Sequence, residues 1–338
     1  MTQQTTISTI TPVYGGAAYL DDLVKELQEF RNYLIDADIP IRLVESIFVI
    51  DECVDNSREV LREATKDKDW ISVIELSRNF GQHPATIAGI LHSSGDWVAT
   101  LDEDLQHRPK YIIQLLKETL KNNADICYAS SEKKVHSSVV KDTLAKYFKK
   151  ITSRVLDNKA IPLFNSFRIV RGDVARAASA ICSHETYLDI AFCWFTNRVC
   201  SSKVSMTDIR NQNEGDSGYS FVGLVKHSKR MVMSSKIGLL RIGIVIGFIA
   251  FILSLVLTSY ALYASVFQNN TTLIRGWAST IIVVLFFSGL ICLLLGFILE
   301  SVSDLLISNN GKPTFFVVDR SKDEKLKEIL DNISNADL

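Results

Sequence analysis

Asp102 and Asp104 stand two residues apart in the run LDEDLQHRP, Leu101 to Pro109, directly after an apolar stretch. If that stretch is a strand, the alternation of side chains aims both aspartates to one side and turns Glu103 elsewhere. Two carboxylates on one rim suit Mg²⁺ or Mn²⁺, hard cations that take oxygen ligands and leave positions for a substrate phosphate. An ion so placed would bridge a nucleotide's diphosphate and offset the charge that grows there as a sugar departs. The competing use of an Asp-x-Asp at a strand end is to cap the helix starting near Pro109. Three other polar strand ends and a lipid-suited half of the chain favour the metal.

The elements that must position such a pair are visible as short β-branched runs alternating with helical patterns. Strands are expected at Ile7 to Val13, Ser46 to Asp51, Ile71 to Leu76, Trp97 to Leu101 and Ala124 to Ala129. Between them the helical patterns run Tyr19 to Leu34, Ser57 to Thr65, Pro84 to His92 and Lys110 to Leu120. That rhythm predicts an α/β fold with a mostly parallel sheet flanked by helices. Ligands of such sheets bind beyond the carboxyl ends of the strands, where Tyr14-Gly15-Gly16, Asp51 to Ser57, Ser77 to Gln82 and Asp102 to His107 all fall. No GxGxxG follows the first strand and no GxxxxGK[ST] occurs, which argues against a dinucleotide-binding dehydrogenase or a P-loop NTPase.

The second half of the chain is written for another solvent. No residue is charged between Arg241 and Arg275, nor from Gly276 to Leu299. Each stretch exceeds the roughly 20 apolar residues a helix needs to cross a bilayer. The expectation is a transmembrane hairpin of two helices, about 242–265 and 276–299, after a head of residues 1–230 and before a tail of 301–338. Lys226, Lys229, Arg230, Lys236 and Arg241 crowd the entrance to the first span, which the positive-inside rule places in the cytoplasm with both termini. Net charge −1 gives no sign of nucleic acid as a partner. The six cysteines lack metal-like spacing, and no signal-peptide pattern opens the chain, which suits a head in a reducing compartment.

With these residues in view, the chain resembles the polyprenyl-phosphate glycosyltransferases of glycosyltransferase family 2. The resemblance is carried by ITPVY (Ile10 to Tyr14), FVIDECVDNS (Phe48 to Ser57), LSRNFGQHPATIAGI (Leu76 to Ile90) and LDEDLQHRP. NSFRIVRGDV (Asn165 to Val174), NEGDSGYS (Asn213 to Ser220) and GKPTFFV (Gly311 to Val317) continue it. It implies a GT-A head, the nucleotide-diphospho-sugar transferase fold, with Pro12, Tyr14, Asp51 and Arg78 at the nucleotide sugar and Asp102 with Asp104 on the metal. Gly15-Gly16 stand where the family often has Asn-Glu, Ile50 where a second acidic or amide residue is usual, and Glu52-Cys53 where Gly-Ser is common. All three departures lie where nucleotide or sugar is read, which leaves the donor's identity open.

The resemblance implies inverting transfer of one sugar from a nucleotide-diphosphate donor to undecaprenyl or dolichyl phosphate. A phosphate monoester has a second pKa of about 6, so this nucleophile needs positioning more than a strong base. His107 is a candidate catalytic base, although a histidine at a helix start also serves structure, and Gln106 is a candidate to orient a substrate or metal ligand. Arg168, Arg171, Lys133 and Lys134 are the cations expected to meet the acceptor phosphate. Val140 to Val155 alternates apolar and basic residues at helical spacing, which suits a helix on an anionic leaflet or one packed on the head. Phe315 to Val318 reads as a strand able to join protomers into a homo-oligomer. The expected location is the inner membrane of a bacterium. The rivals are a processive polysaccharide synthase, for which further spans and a QxxRW motif are wanting, and an inactive sugar-nucleotide-binding membrane scaffold.

Overall fold

A computed structural model describes residues 4–37, 39–131, 160–182, 186–204, 248–249, 251–260, 263, 277–309 and 323–332. Lys133, Lys134, the basic helix expected from Val140 to Val155 and the strand expected near Phe315 lie outside the described residues. Chain contacts separate two compact units. One combines Met1–Ser153, Asn158–Ser234 and Pro313–Leu338, and the other Arg154–Asp157 with Ser235–Lys312.

The first unit is built on β1 (Thr5–Val13), β2 (Ile41–Ile50), β3 (Ile71–Glu75), β4 (Trp97–Thr100), β5 (Ile126–Ser131), β6 (Arg168–Arg171) and β7 (Val199–Val204). They form one sheet in the order β3-β2-β1-β4-β6-β5-β7. Pairing is parallel from β3 through β4 and between β5 and β7, while β6 runs antiparallel to β4 and β5. This mostly parallel sheet with one inserted antiparallel strand is the GT-A arrangement. Helices α1 (Ala17–Asp36), α2 (Ser57–Thr65), α3 (Gln82–Leu91), α4 (Tyr111–Lys121), α5 (Gly172–Ala180), α6 (Leu188–Phe195) and, near the C-terminus, α8 (Asp323–Asn332) complete the unit.

The strands and helices expected of the head are present, with ends that differ by a few residues. The α1 stripe explains why its sequence folds as it does: Leu20, Leu23, Val24, Leu27, Phe30 and Leu34 recur at helical spacing and are buried together. α3 packs closely on the sheet, since a Cβ on Gly89 would lie 2.4 Å from Ile10 Cγ2. Only a residue without a side chain allows that approach. Pro12 sits in the central strand at no cost to the ladder. Leu101 N–H reaches the Ile10 carbonyl and Asp51 N–H the Val13 carbonyl, so the missing Pro12 N–H faces the β4 side, past the Ile10–Thr100 pair that ends it.

The second unit is described by helical residues 251–260 and by α7 (Trp277–Asn309), 33 residues long. Ser254 Oγ donates to the Leu285 carbonyl at 2.6 Å, and a Cβ on Gly289 would lie 2.9 Å from that same oxygen. The two helices therefore meet at a pair of small residues. Most described side chains of α7 from Val283 to Leu305 are apolar and exposed. Counted over the described residues alone, no helix is long and apolar enough to cross a membrane.

Candidate active site

Four loops leave the carboxyl ends of β1 to β4 and carry the residues that the sequence marks. The β2 loop and β3 loop are locked by Asp51, whose carboxylate accepts the Phe80 and Gly81 amides at 2.7 Å each. Only 2% exposed, Asp51 fastens backbone. Each of its oxygens accepts one amide, a role in holding the loops that stands beside the contact to base or ribose expected of it. Glu52, next in line, adopts a left-handed φ of 52° and accepts the Asn79 amide at 2.8 Å. A left-handed residue costs a non-glycine side chain about 1–2 kcal/mol, which gives the Gly-to-Glu departure a physical expression. Arg78 is exposed and its guanidinium lies 4.2 Å from the centroid of the Phe80 ring.

Asp55 ties the β2 loop to the start of α1 and of α2 through the Ala17 amide and the Ser57 amide, both at 3.0 Å. Burial works against its charge, yet the Ser57 hydroxyl and those amides outweigh burial and hold its pKa below the ordinary value. Cys53 goes the other way. Burial, then the charges of Asp55 and Glu103, push its thiol up to about 11.

Asp102 and Asp104 open the β4 loop. Asp102 is 26% exposed in its side chain and is oriented by Gln82 Nε2 on Oδ1 (2.7 Å) and Ser166 Oγ on Oδ2 (2.8 Å). Asp104 is 7% exposed, with the Gln106 amide on Oδ1 at 3.2 Å. Leu105, just after the aspartates, has φ 58°, so the chain turns sharply there. Glu103 does not point away from the site as strand alternation suggests. It reaches across to the β1 loop, where it accepts the Tyr14 and Gly15 amides.

His107 is buried at 3% exposure, stacked on Phe167 with centroids 4.9 Å apart. The Asp102 amide donates to its Nδ1 at 3.0 Å. Nδ1 also lies 3.4 Å from Asp102 Oδ2. These surroundings let His107 shape the β4 loop that carries Asp102.

The two arginines of β6 lie at opposite ends of the sheet. Arg168 pairs with Thr100 at the carboxyl end of β4, beside the aspartates. Its side chain is 3% exposed and forms an ion pair with Asp189, which also accepts the Tyr128 hydroxyl at 2.7 Å. Burial lowers the Arg168 pKa, and the charge of Asp189, joined by Tyr128, Tyr187 and the hydrogen bond to Asp189, outweighs it, so the net direction is up. Tyr128 is raised well above its usual value, first by burial and then by Asp189. A guanidinium so engaged is a poor free clamp for an acceptor phosphate. Arg171 is opposite Trp97 at the amino end of β4, stacked 4.5 Å from that ring's centroid and paired with Asp125 and Asp323. The register therefore places Arg171 at the other end of β6 from Arg168, away from the loops that leave the carboxyl ends of β1 to β4.

Gln82, Glu103, Ser166 and Asp189 are the contributors that sequence reading did not single out. Gln82 and Ser166 lie inside motifs that carry the family resemblance, which is the signal that could have found them.

Asp51, Glu52, Asp55, Asp102, Glu103 and Asp104 bring six carboxylates to these loops, where Arg78 offers an exposed guanidinium. Among the described residues no three His, Cys, Asp or Glu side chains form a group that could hold a metal by themselves. Two hard oxygen donors short of a full shell, in an acidic crevice, fit an ion that shares its coordination with phosphate.

Residues 8–178 match the sequence profile described as Glycosyl transferase family 2. The chain belongs to glycosyltransferase family 2. This glycosyltransferase is 25% identical to the uncharacterized glycosyltransferase YkcC of Bacillus subtilis, over 94% of each chain. It is 21% identical to a prophage bactoprenol glucosyl transferase homolog of Escherichia coli, over 92% of this chain and 98% of the other. Among solved structures, mannosyl-3-phosphoglycerate synthase from Rubrobacter xylanophilus aligns at a TM-score of 0.48 and 12% identity, covering 68% of this chain and 72% of that one.

Proposed function

We propose that this glycosyltransferase moves one sugar from a nucleotide-diphosphate donor to a polyprenyl phosphate at the cytoplasmic face of a bacterial inner membrane, with inversion at the anomeric carbon. The observation that carries this reading is the reach of the likeness to bactoprenol glucosyl transferases, 92–95% of this chain, across both the acidic crevice and the charge-free C-terminal region. A shared head alone would leave the acceptor open. A shared apolar region asks for a lipid.

In this reading an oxygen of the acceptor phosphate attacks the anomeric carbon as the sugar's bond to the diphosphate breaks. The attacking oxygen is already anionic near neutral pH, so a loop-bound His107 is no obstacle. Asp102 and Asp104 would hold Mg²⁺ or Mn²⁺, which supplies positive charge against the departing diphosphate. Gln82 and Ser166 keep Asp102 aimed, and Asp51 keeps the loop of Arg78 in place beside it.

Membranes containing the protein, incubated with radiolabelled nucleotide sugars and undecaprenyl phosphate, should yield a lipid-soluble monosaccharide. Asp104→Asn keeps the oxygen that accepts the Gln106 amide but removes a charge from the ion's site, so transfer should be lost while the melting temperature holds. Saturating chelator should do the same. Polymer would support the processive reading instead, no product the scaffold, and full turnover in chelator would remove the metal.

A further inference from the structure

Glu103 spans the two loops that the proposed reaction must keep in register. Its Oε2 accepts the Tyr14 amide at 3.0 Å, and the Gly15 amide lies 3.3 Å from Oε1 and 3.4 Å from Oε2. The flanking aspartates meanwhile bond elsewhere, Asp102 with Gln82 and Ser166 and Asp104 with the Gln106 amide. The carboxyl group fills the space beside Gly16, where a Cβ would lie 2.5 Å from Oε2, 2.6 Å from Cδ and 2.8 Å from Cγ. Gly16 itself has φ −106°, ψ 17°, a backbone that alanine tolerates, so glycine is required there by the neighbour and not by the dihedrals.

A Gly15-Gly16 loop has no side chains of its own to fix it, and glycine loses the most freedom when ordered. An outside fastening is what such a loop needs. We infer that Glu103 is a positioning residue that latches the nucleotide loop to the metal loop, so that the two ends of a nucleotide diphosphate meet a preset spacing. This rests on the donor reading above. The Gly-Gly pair and Glu103 then form one unit: the first vacates the volume and presents the amides, the second occupies both. Charge-assisted bonds from amides to a carboxylate are the stronger kind, which suits a latch at a crevice edge open to water.

The test uses full-length protein in detergent, UDP-glucose with Mn²⁺ as the probe, titration calorimetry for donor affinity, steady-state kinetics and thermal melting. Glu103→Ala should raise the donor Kd and KM ~10-fold with kcat changed by less than ~3-fold, since tenfold corresponds to the loss of one modest interaction. Glu103→Gln should fall between, because its single carbonyl oxygen can still accept an amide. Gly16→Ala should evict the Glu103 carboxyl and reproduce the Glu103→Ala affinity, and the double variant should be no weaker than either single one, a non-additivity expected of groups in contact.

Unchanged donor affinity in Glu103→Ala, or additive losses in the double variant, would overturn the latch. If the wild-type protein binds no UDP-glucose but does bind another nucleotide sugar, the same comparison is made with that donor, and binding of none of them overturns the donor reading instead. Melting of the wild type, the two alanine variants and their double then still decides the latch. Gly16→Ala should lower the melting temperature when Glu103 is present and have no effect when combined with Glu103→Ala, and equal shifts in both would refute it.

Discussion

A buried guanidinium is stable only with its counter-charge, and Arg168 has Asp189 beside it with Tyr128 bonded to the same carboxylate. Removing it takes the counter-charge from the buried Asp189 carboxylate, a change that costs about 3–5 kcal/mol. Arg168→Ala should therefore melt at a markedly lower temperature and lose donor binding and transfer together. A selective loss of polyprenyl-phosphate use, with stability intact, would return Arg168 to the acceptor. Cys53 offers a second check at this scale. The thiolate is the reactive form, and with the pKa near 11 its fraction keeps rising through the alkaline range. Alkylation of Cys53 followed by mass spectrometry should still be accelerating at about pH 10, whereas an ordinary thiol has levelled off; a plateau near pH 9 would contradict the burial. The aspartates were legible in the sequence because their spacing follows a strand. Glu103 was not, because β4 stops at Thr100 and the left-handed Leu105 turns the loop, so strand alternation no longer decides where a side chain points.

At the scale of elements, periodicity reads well wherever a segment is long enough to show it. The first five strands and first four helices repeat their apolar residues at two or at three to four, and they form as expected. β6 defeats that reading, since a four-residue strand with arginine at both ends has no apolar alternation, and its arginines are offset by Asp189 and Asp125 far along the chain. α8 was hidden for a related reason: DEKLKEILDN offers two buried leucines in a charged decapeptide. Leu326 and Leu330 join the main core, and Asp323 at its first turn pairs with Arg171. α8 is thus part of the head and not a loose tail. Leu330→Ala should cost about 2–5 kcal/mol, the range for a truncated core leucine. Chemical denaturation of the purified protein measures it, and a loss below about 0.5 kcal/mol, as for a surface site, would show that α8 does not belong to the core.

For the whole molecule, the path of the chain constrains what the charge-free region can do. The chain leaves the first unit after Ser234 and rejoins it at Pro313, and α8 packs its leucines into that unit's core. A folded unit stands on one side of a membrane, so an excursion that starts and ends in it crosses an even number of times. In the proposed membrane reading, two charge-free stretches, Ile242 to Ile274 and Gly276 to Leu299, would supply two crossings. On that reading the cations from Lys226 to Arg241 would set the side, because basic residues flanking a span are retained in the cytoplasm. A reporter placed at Asn270 should accordingly register on the outer side, and reporters at Met1 and Leu338 on the inner. The core packing of α8 ties the C-terminal result to the N-terminal one: a helix buried in the head lies on the head's side of any membrane. Reporters that place Met1 and Leu338 on opposite sides would refute the even crossing, whereas all three on the inner side would leave the unit intact and remove the hairpin.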